Sequence, residues 1–457
     1  MRFCLIMKFS SINRRLNTNE RIIAKNAVVA MVLRGLGIFV SFAMTPAFIR
    51  YFNNNEVLGL WFTILSVLIW IMNFDLGIGN GIRNFFVKAL TDNDRIEARR
   101  VISSGFISVG VLSAVFLIGG LVFLYTINLN WLFNISPLTI TNETLLWSSA
   151  CVYIGIVISF FLTNVKTVFY ALQSSYVNNI LSFISSILML IYVLLFRFTD
   201  SNEALKAISL VYVLIINVPV LLAGIWVFMK KMRDCIPTLR FVTYTATKNV
   251  LSLGMVFFMC QIFYAMIMNT DQFLITKLYG PLYTADYTFY YRVVMFLATV
   301  STLALTPTWA VVTKACQEKD YKWLCKLFRV IKLSALGLMI LEFALIPCIQ
   351  FIMNIWLGKG QINVEIPVAF SFAVFASTFI YSGMLSTMVC GLGRMKLQLY
   401  SYGVAVAVKF VVVGLFYETF GWQMVVWINA IVLGLYCIVQ QIDLDRYFSH
   451  MKQTTDS

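Results

Sequence analysis

The chain has 457 residues, of which 60% are hydrophobic, 15% aromatic and only 12% charged, and its mean hydropathy is +0.84. A soluble chain carries about 25% charged residues, so a water-soluble enzyme, a disordered protein and a fibrous protein are excluded. The composition predicts an integral membrane protein. The formal charge of +15 then indicates Lys and Arg concentrated in cytoplasmic loops rather than a nucleic-acid partner.

Hydropathy divides the chain into about twelve apolar segments, each close to the roughly 20 residues that cross a bilayer. They lie near 26–51, 57–88, 101–127, 144–170, 180–198, 207–229, 250–276, 285–313, 327–353, 365–390, 399–418 and 422–442. The opening MRFCLIMKF is followed by no small-residue cleavage site, so it does not resemble a signal peptide, and Met7 is an alternative start.

Lys and Arg are concentrated in alternate loops. The N-terminal tail and the links after the second and sixth segments are basic, whereas the loops at 53–56, 128–143 and 418–422 contain no Lys or Arg. This bias predicts that both termini are cytoplasmic.

The polar link 230–248 has six apolar segments on either side. An even number of crossings returns the chain to its starting side, so the sequence predicts an all-α protein with two six-helix lobes of the same orientation. We predict a cytoplasmic tail at 1–25, an N-lobe at 26–229, the linker at 230–248, a C-lobe at 249–442 and a cytoplasmic tail at 443–457.

The residues used in metal and nucleophilic chemistry are scarce. The nine cysteines include no C-x-x-C pair, and the single histidine, His450, lies in the polar C-terminal tail. The sequence therefore offers no histidine metal site, no Ser-His-Asp triad and no histidine proton relay. We predict no catalytic residues, no metal and no cofactor.

Charged residues inside apolar segments are costly, and they tend to face a water-filled cavity. In the first lobe they are Arg34, Asp75 and Arg83, the last two within FDLGIGNGIRN at 74–84. Arg34 either pairs with a neighbouring acid such as Asp75 or faces an anion in a cavity. The glycines of this run favour close helix packing, because nucleotide binding needs a strand before the glycines.

The second lobe contributes Asp271, Arg292, Glu342 and Lys409. Lys409 lies roughly 15 Å from either end of its helix, where its ammonium cannot easily reach water. It either forms a salt bridge between segments or binds substrate. Basic groups outnumber acidic ones among the deep positions, which favours an anionic substrate.

Several of these residues also form a recognisable pattern. Asn26, Arg34-Gly35, Pro46, the Leu58-Gly59-Leu60-Trp61 turn and FDLGIGNGIRN occur in the first half, with Asp271, Gly280, Ala285, Tyr287 and Arg292 in the second. This pattern resembles the polysaccharide-transporter (Wzx-type O-antigen flippase) branch of the multidrug/oligosaccharidyl-lipid/polysaccharide exporter superfamily.

The resemblance implies a MATE-like alternating-access transporter in a bacterial inner membrane that moves undecaprenyl-diphosphate-linked oligosaccharide from the cytoplasmic to the periplasmic face. It implies substrate binding by Arg34, Arg83, Arg292 and Lys409, with Asp75, Asp271 and Glu342 in coupling or charge balance. H⁺ or Na⁺ coupling, a polysaccharide polymerase and a chain-length regulator are compatible partners.

Two other functions are open to a protein with this sequence. A multidrug or cation antiporter of the same superfamily would share the architecture. A polysaccharide polymerase or ligase is disfavoured because the longest predicted outer loop, 128–143, contains no Lys, Arg or His.

Overall fold

The computed structural model describes residues 18–69, 72, 82, 85–87, 89–90, 92–172, 174–243, 255–317 and 320–456, and these contain no strand. The helices before the middle of the chain are α1 (Thr18–Phe52), α2 (Asn55–Ile69), α3 (Arg95–Thr126), α4 (Leu129–Leu132), α5 (Asn142–Ala171), α6 (Ser175–Leu195) and α7 (Ser201–Trp226). Those after it are α8 (Met255–Asn269), α9 (Asp271–Tyr279), α10 (Pro281–Gln317), α11 (Tyr321–Leu345), α12 (Ile349–Trp356), α13 (Ile366–Gly391), α14 (Lys396–Phe420) and α15 (Gln423–Asp456).

Several helices begin at a polar side chain that caps them. Asp94 accepts a hydrogen bond from the backbone N–H of Glu97 at 2.9 Å, and Asp320 accepts one from Trp323 at 3.0 Å. Such caps satisfy the free N–H groups of a first turn. Among the described residues, nine helical stretches are long and apolar enough to cross a membrane, which agrees with the predicted polytopic all-α fold.

The helices pack in two groups. In the first, α5 packs against α3 and α7, and α1 packs against α6; in the second, α13 packs against α10, α11 and α15, while α14 lies between α8 and α15. The two groups meet mainly where α2 crosses α9 and α10. This arrangement is that of two lobes joined along one seam.

The buried cores show where the seam lies. One continuous core contains the C-terminal part of α1 and most of α2 together with residues of the second lobe. A separate core, built from the predicted cytoplasmic ends of α3, α5 and α7, belongs to the first lobe alone. Among the described residues, the lobes are therefore joined toward the predicted extracytoplasmic side and are separate toward the cytoplasmic side.

The seventh apolar segment is not the continuous helix that the sequence predicts. It divides into α8 and α9, with Thr270 between them outside both helices. Polar side chains at Asn269, Thr270 and Asp271 interrupt an otherwise apolar run, and a partner from another helix binds the backbone that the break exposes. The predicted C-terminal tail is also helical, because α15 continues to Asp456.

Candidate functional site

The seam between the lobes is tightest at the predicted extracytoplasmic end. A Cβ atom added to Gly59 on α2 would lie 1.7 Å from the carbonyl oxygen of Pro281, so only glycine fits there in this conformation. The hydroxyl of Thr63 contacts that of Thr276, which lies 2.6 Å from the hydroxyl of Thr284. A short chain of buried hydroxyl groups thus joins α2 to α9 and α10.

Aromatic side chains extend this closure. The Trp356 indole donates to the Phe42 carbonyl oxygen at 2.7 Å and stacks on the Phe42 ring with 4.4 Å between centroids. The Lys277 ammonium lies 3.1 Å from the centroid of Trp131 and donates to the Trp131 carbonyl oxygen at 2.6 Å. Both contacts join one lobe to the other, so this end of the molecule is closed.

The N-terminal half of α1 has few packing neighbours among the described residues. A Cβ added to Gly35 or Gly37 would meet no atom within 4 Å. Val32 is 55% exposed and Phe39 is 65% exposed. Among the described residues, packing against α1 is therefore looser toward the end that the sequence predicts to be cytoplasmic.

Arg292 lies on the seam. Its Nη1 atom donates to the carbonyl oxygen of Ser41 at 2.8 Å and to the hydroxyl of Thr45 at 2.6 Å, and the guanidinium lies 5.3 Å from the centroid of the Phe62 ring. No carboxylate among the described residues pairs with this guanidinium. It is a positive charge held by neutral acceptors between the two lobes.

Lys409 and Asp271 form a buried ion pair within the second lobe. The Lys409 Nζ atom lies 2.5 Å from Asp271 Oδ1, and both side chains are almost completely buried. The Lys409 ammonium also donates to the carbonyl oxygen of Ile267. The other carboxylate oxygen, Asp271 Oδ2, accepts from the Tyr287 hydroxyl and from Asn429 Nδ2, each at 2.7 Å.

The break between α8 and α9 explains why these groups meet. The Ile267 carbonyl lies in the last turn of α8, where helix carbonyls lose their N–H partners, and Asp271 begins α9. A helix end of this kind favours a cation, and a helix start favours an anion. The Lys409 ammonium on α14 binds the free carbonyl at the end of α8 and neutralises the carboxylate at the start of α9.

Glu342 on α11 is also fully buried. Neither carboxylate oxygen has a hydrogen-bond partner among the described side chains, and the group faces the backbone of Ala298 on α10. A buried ionised carboxylate without a partner is strongly disfavoured.

Among the predicted site residues that the structure describes, it brings together one pair, Lys409 and Asp271. The ion pair is the alternative that the sequence left open for Lys409, and in this conformation the ammonium faces Asp271 rather than open space. Arg292 and Glu342 occupy separate positions. Asp75 and Arg83 lie outside the described residues, as does the side chain of Arg34, whose backbone is part of α1.

The sequence analysis did not single out two polar residues inside apolar segments, Asn429 and Lys166. Asn429 completes the Asp271 cluster, and Lys166 is a half-buried cation near the cytoplasmic end of α5 that pairs with no other described side chain. An amide in QMVVWINAIVLGL and a lysine in FFLTNVKTVFY are both polar residues inside apolar runs. That pattern was the available signal for each.

No protein-family model and no curated protein match the chain. A multidrug resistance MATE family transporter of the MOP superfamily, solved in its inward-facing conformation, matches with a TM-score of 0.76. The two chains are 17% identical, and the match covers 94% of this chain and 99% of that one. The chain has the fold of MATE transporters.

Other solved MATE structures match the fold as well. The outward-facing conformation of a MATE family transporter gives a TM-score of 0.63 at 18% identity, with 95% of this chain and 97% of that chain covered. A MATE structure in complex with MaL6 gives 0.65 at 16% identity over 95% and 97% of the two chains.

The Asp271–Lys409 pair predicts a coupled effect on stability. Lys409→Met leaves a buried carboxylate without its cation, and Asp271→Asn leaves a buried ammonium, so each should lower the free energy of unfolding by about 3–5 kcal/mol. The double variant should recover most of that loss. Thermal unfolding of the purified protein in detergent measures all three.

The matched control is the exposed pair Arg394–Asp443, whose N–O distance is 3.2 Å in the same lobe. Asp443→Asn should change stability by about 0–1 kcal/mol. Additive losses in the Lys409 and Asp271 double variant would show that the two groups do not depend on each other.

The Gly59 contact predicts that a larger residue opens the extracytoplasmic end. In Gly59→Leu, a cysteine introduced at Thr45 should react several-fold faster with a membrane-impermeant maleimide added from outside. The background rate, measured in the same variant without the introduced cysteine, is subtracted. Gly434→Ala is the control, because its Cβ would meet only the Thr378 methyl group at 3.7 Å. Equal rates in the two variants would mean that the Gly59 contact does not hold the seam closed.

Proposed function

We propose that this protein is a flippase that moves undecaprenyl-diphosphate-linked oligosaccharide across a bacterial inner membrane by alternating access. The observation that carries the proposal is Arg292. Its guanidinium lies on the seam between the lobes, bound to a carbonyl and a hydroxyl oxygen, with no described carboxylate to neutralise it. A diphosphate bound between the lobes would supply the missing negative charge.

The shape of the seam supports the same substrate. The described contacts between the lobes lie toward the extracytoplasmic end, and α1 is exposed toward the cytoplasmic end. A lipid-linked sugar made at the cytoplasmic face would enter from that end. Its diphosphate would move toward Arg292 while its polyprenyl chain stayed in the bilayer.

Lys409 contributes less to this proposal than Arg292, because Asp271 already neutralises its charge. Substrate binding by Arg34, Arg83 and Lys409 remains a prediction. A rearrangement that separates α14 from α9 would expose both charges of the pair, so the pair would resist that motion until a ligand compensated it.

Coupling to H⁺ or Na⁺ is also part of the proposal. Among the fully buried carboxyl groups that the structure describes, Glu342 on α11 is the one without a hydrogen-bond partner. Protonation removes the cost of burying it, and deprotonation would require water or a cation to enter. Asp75 and Asp271 remain further coupling or charge-balance candidates, and a polysaccharide polymerase and chain-length regulator remain proposed partners.

A multidrug or cation antiporter is the second candidate. The matched solved structure is a multidrug resistance transporter, and it covers nearly the whole chain. The unpaired cation at Arg292 argues for an anionic substrate instead, because a cationic drug would be repelled there. We therefore place the flippase first.

The test uses cells in which this protein is the sole transporter for a surface polysaccharide. Removing a charge-assisted hydrogen bond to phosphate costs about 1.5–3 kcal/mol, so Arg292→Gln should reduce polymer export roughly 10- to 100-fold and cause lipid-linked repeat units to accumulate. Arg292→Lys should retain part of the activity. Polymer and lipid-linked intermediates are measured by mass spectrometry at equal levels of inserted protein.

Arg50→Gln is the matched control, because Arg50 is an exposed cation at the predicted extracytoplasmic end of α1, the helix that Arg292 contacts through Ser41 and Thr45. It should leave export within about twofold of the unaltered protein. Normal export in Arg292→Gln would contradict the anion-binding role. Drug efflux that depends on this protein, with no change in lipid-linked glycans, would favour the antiporter.

A further inference from the structure

The cytoplasmic ends of α11 and α15 enclose a groove of about 770 Å³. One wall is the first three turns of α11, from Tyr321 to Lys332, and the other is the part of α15 around Asp445 and Phe448. The groove belongs to the second lobe alone. It lies away from the seam that contains Arg292, so it is distinct from the proposed translocation route.

The groove is strongly basic. Four cations line it against one carboxylate, Asp445, and four minus one leaves a net charge of +3. The cations are Lys322, Lys326, Arg329 and Lys332. Among the described residues, none of the four forms an ion pair or a side-chain hydrogen bond. Their spacing of three to four residues places them along one face of α11, over roughly 15 Å of helix.

The floor of the groove is apolar. The Phe328 and Phe448 rings lie 5.2 Å apart, and both residues are buried. Beside the groove, on the same helix, Val330 is 51% exposed and Leu333 is 62% exposed. The groove, with its basic side chains and apolar floor, therefore lies next to a helix surface that faces lipid.

The preference for Lys and Arg on the cytoplasmic side explains why this region is basic, but it requires neither a concave site nor a deep cation. Lys332 is half-buried in the third turn of α11 and still lines the groove. The exposed Lys322, Lys326 and Arg329 line the same groove as the half-buried Lys332.

We propose that this groove binds the head group of an anionic glycerophospholipid. The phosphodiester is held by Lys326, Arg329 and Lys332, as expected of basic residues at the membrane surface. The acyl chains lie along Val330 and Leu333. Free phosphate could use the same cations, but it would leave the adjoining apolar surface unused. The inference does not depend on which substrate the protein carries.

The test is native mass spectrometry of the purified, delipidated protein, titrated with phosphatidylglycerol or with phosphatidylethanolamine of the same acyl chains. One molecule of phosphatidylglycerol should bind at least tenfold more tightly than phosphatidylethanolamine. A basic residue at a membrane surface changes affinity for anionic lipid about fivefold, so Lys326→Gln with Arg329→Gln should weaken binding roughly 25-fold. Lys326→Arg, which keeps the charge, should bind as the unaltered protein does.

Lys230→Gln with Lys231→Gln is the control, because it removes two exposed cytoplasmic cations outside the groove. It should leave phosphatidylglycerol affinity within about twofold. Equal weakening by the control and the groove variant would overturn the assignment, since the attraction would then be general. Displacement of phosphatidylglycerol by inorganic phosphate at similar concentration would also overturn it, because a free anion would then be the ligand.

Discussion

In a membrane interior, an unpaired charge or a backbone group without a hydrogen bond finds almost no partner. In this chain, Lys409 provides such a partner for two groups at once. Its ammonium contacts the Ile267 carbonyl at the end of α8 and the carboxylate that begins α9. One side chain thereby compensates both ends of a helix break within the bilayer. Because α9 also carries Thr276, the position of this short helix determines how the second lobe meets the first.

The seam depends on that position. Thr276 contacts Thr63 on α2, and Gly59 on the same helix allows the backbone of Pro281 to approach closely. Small residues and hydroxyl groups let the helices approach closely at this point, within an apolar core that both lobes share. Arg292 lies beside it with neutral acceptors only. The same interface thus closes the extracytoplasmic end and holds the positive charge of Arg292.

Much of the fold follows from the sequence. Hydropathy predicts an all-α polytopic protein, and the described helices and the MATE fold confirm it. The deep charges at Asp271, Arg292, Glu342 and Lys409 are also visible without a structure, because such residues are rare in apolar runs. Hydropathy does not indicate which of these charged residues contact each other.

Asp271 and Lys409 are 138 residues apart, and nothing local indicates that they meet. The break at Thr270 is equally hidden, because the polar residues there would also fit a helix end at the interface. Asn429 and Lys166 were overlooked for a related reason: a single polar residue changes the mean hydropathy of a span very little. Which groups compensate one another depends on tertiary packing, and one sequence does not encode it in any short-range pattern.

The central claim is that the seam closes at its extracytoplasmic end and opens there when substrate binds. Pulsed electron paramagnetic resonance between spin labels at Leu138 and Leu282 tests it, since these residues are 97% and 49% exposed on opposite lobes near that end. Without substrate, the protein in nanodiscs should give one short distance. Undecaprenyl-diphosphate-linked oligosaccharide should add a second, longer distance, and Arg292→Gln should abolish that change. A single unchanged distance while the lipid-linked sugar is bound would contradict the account.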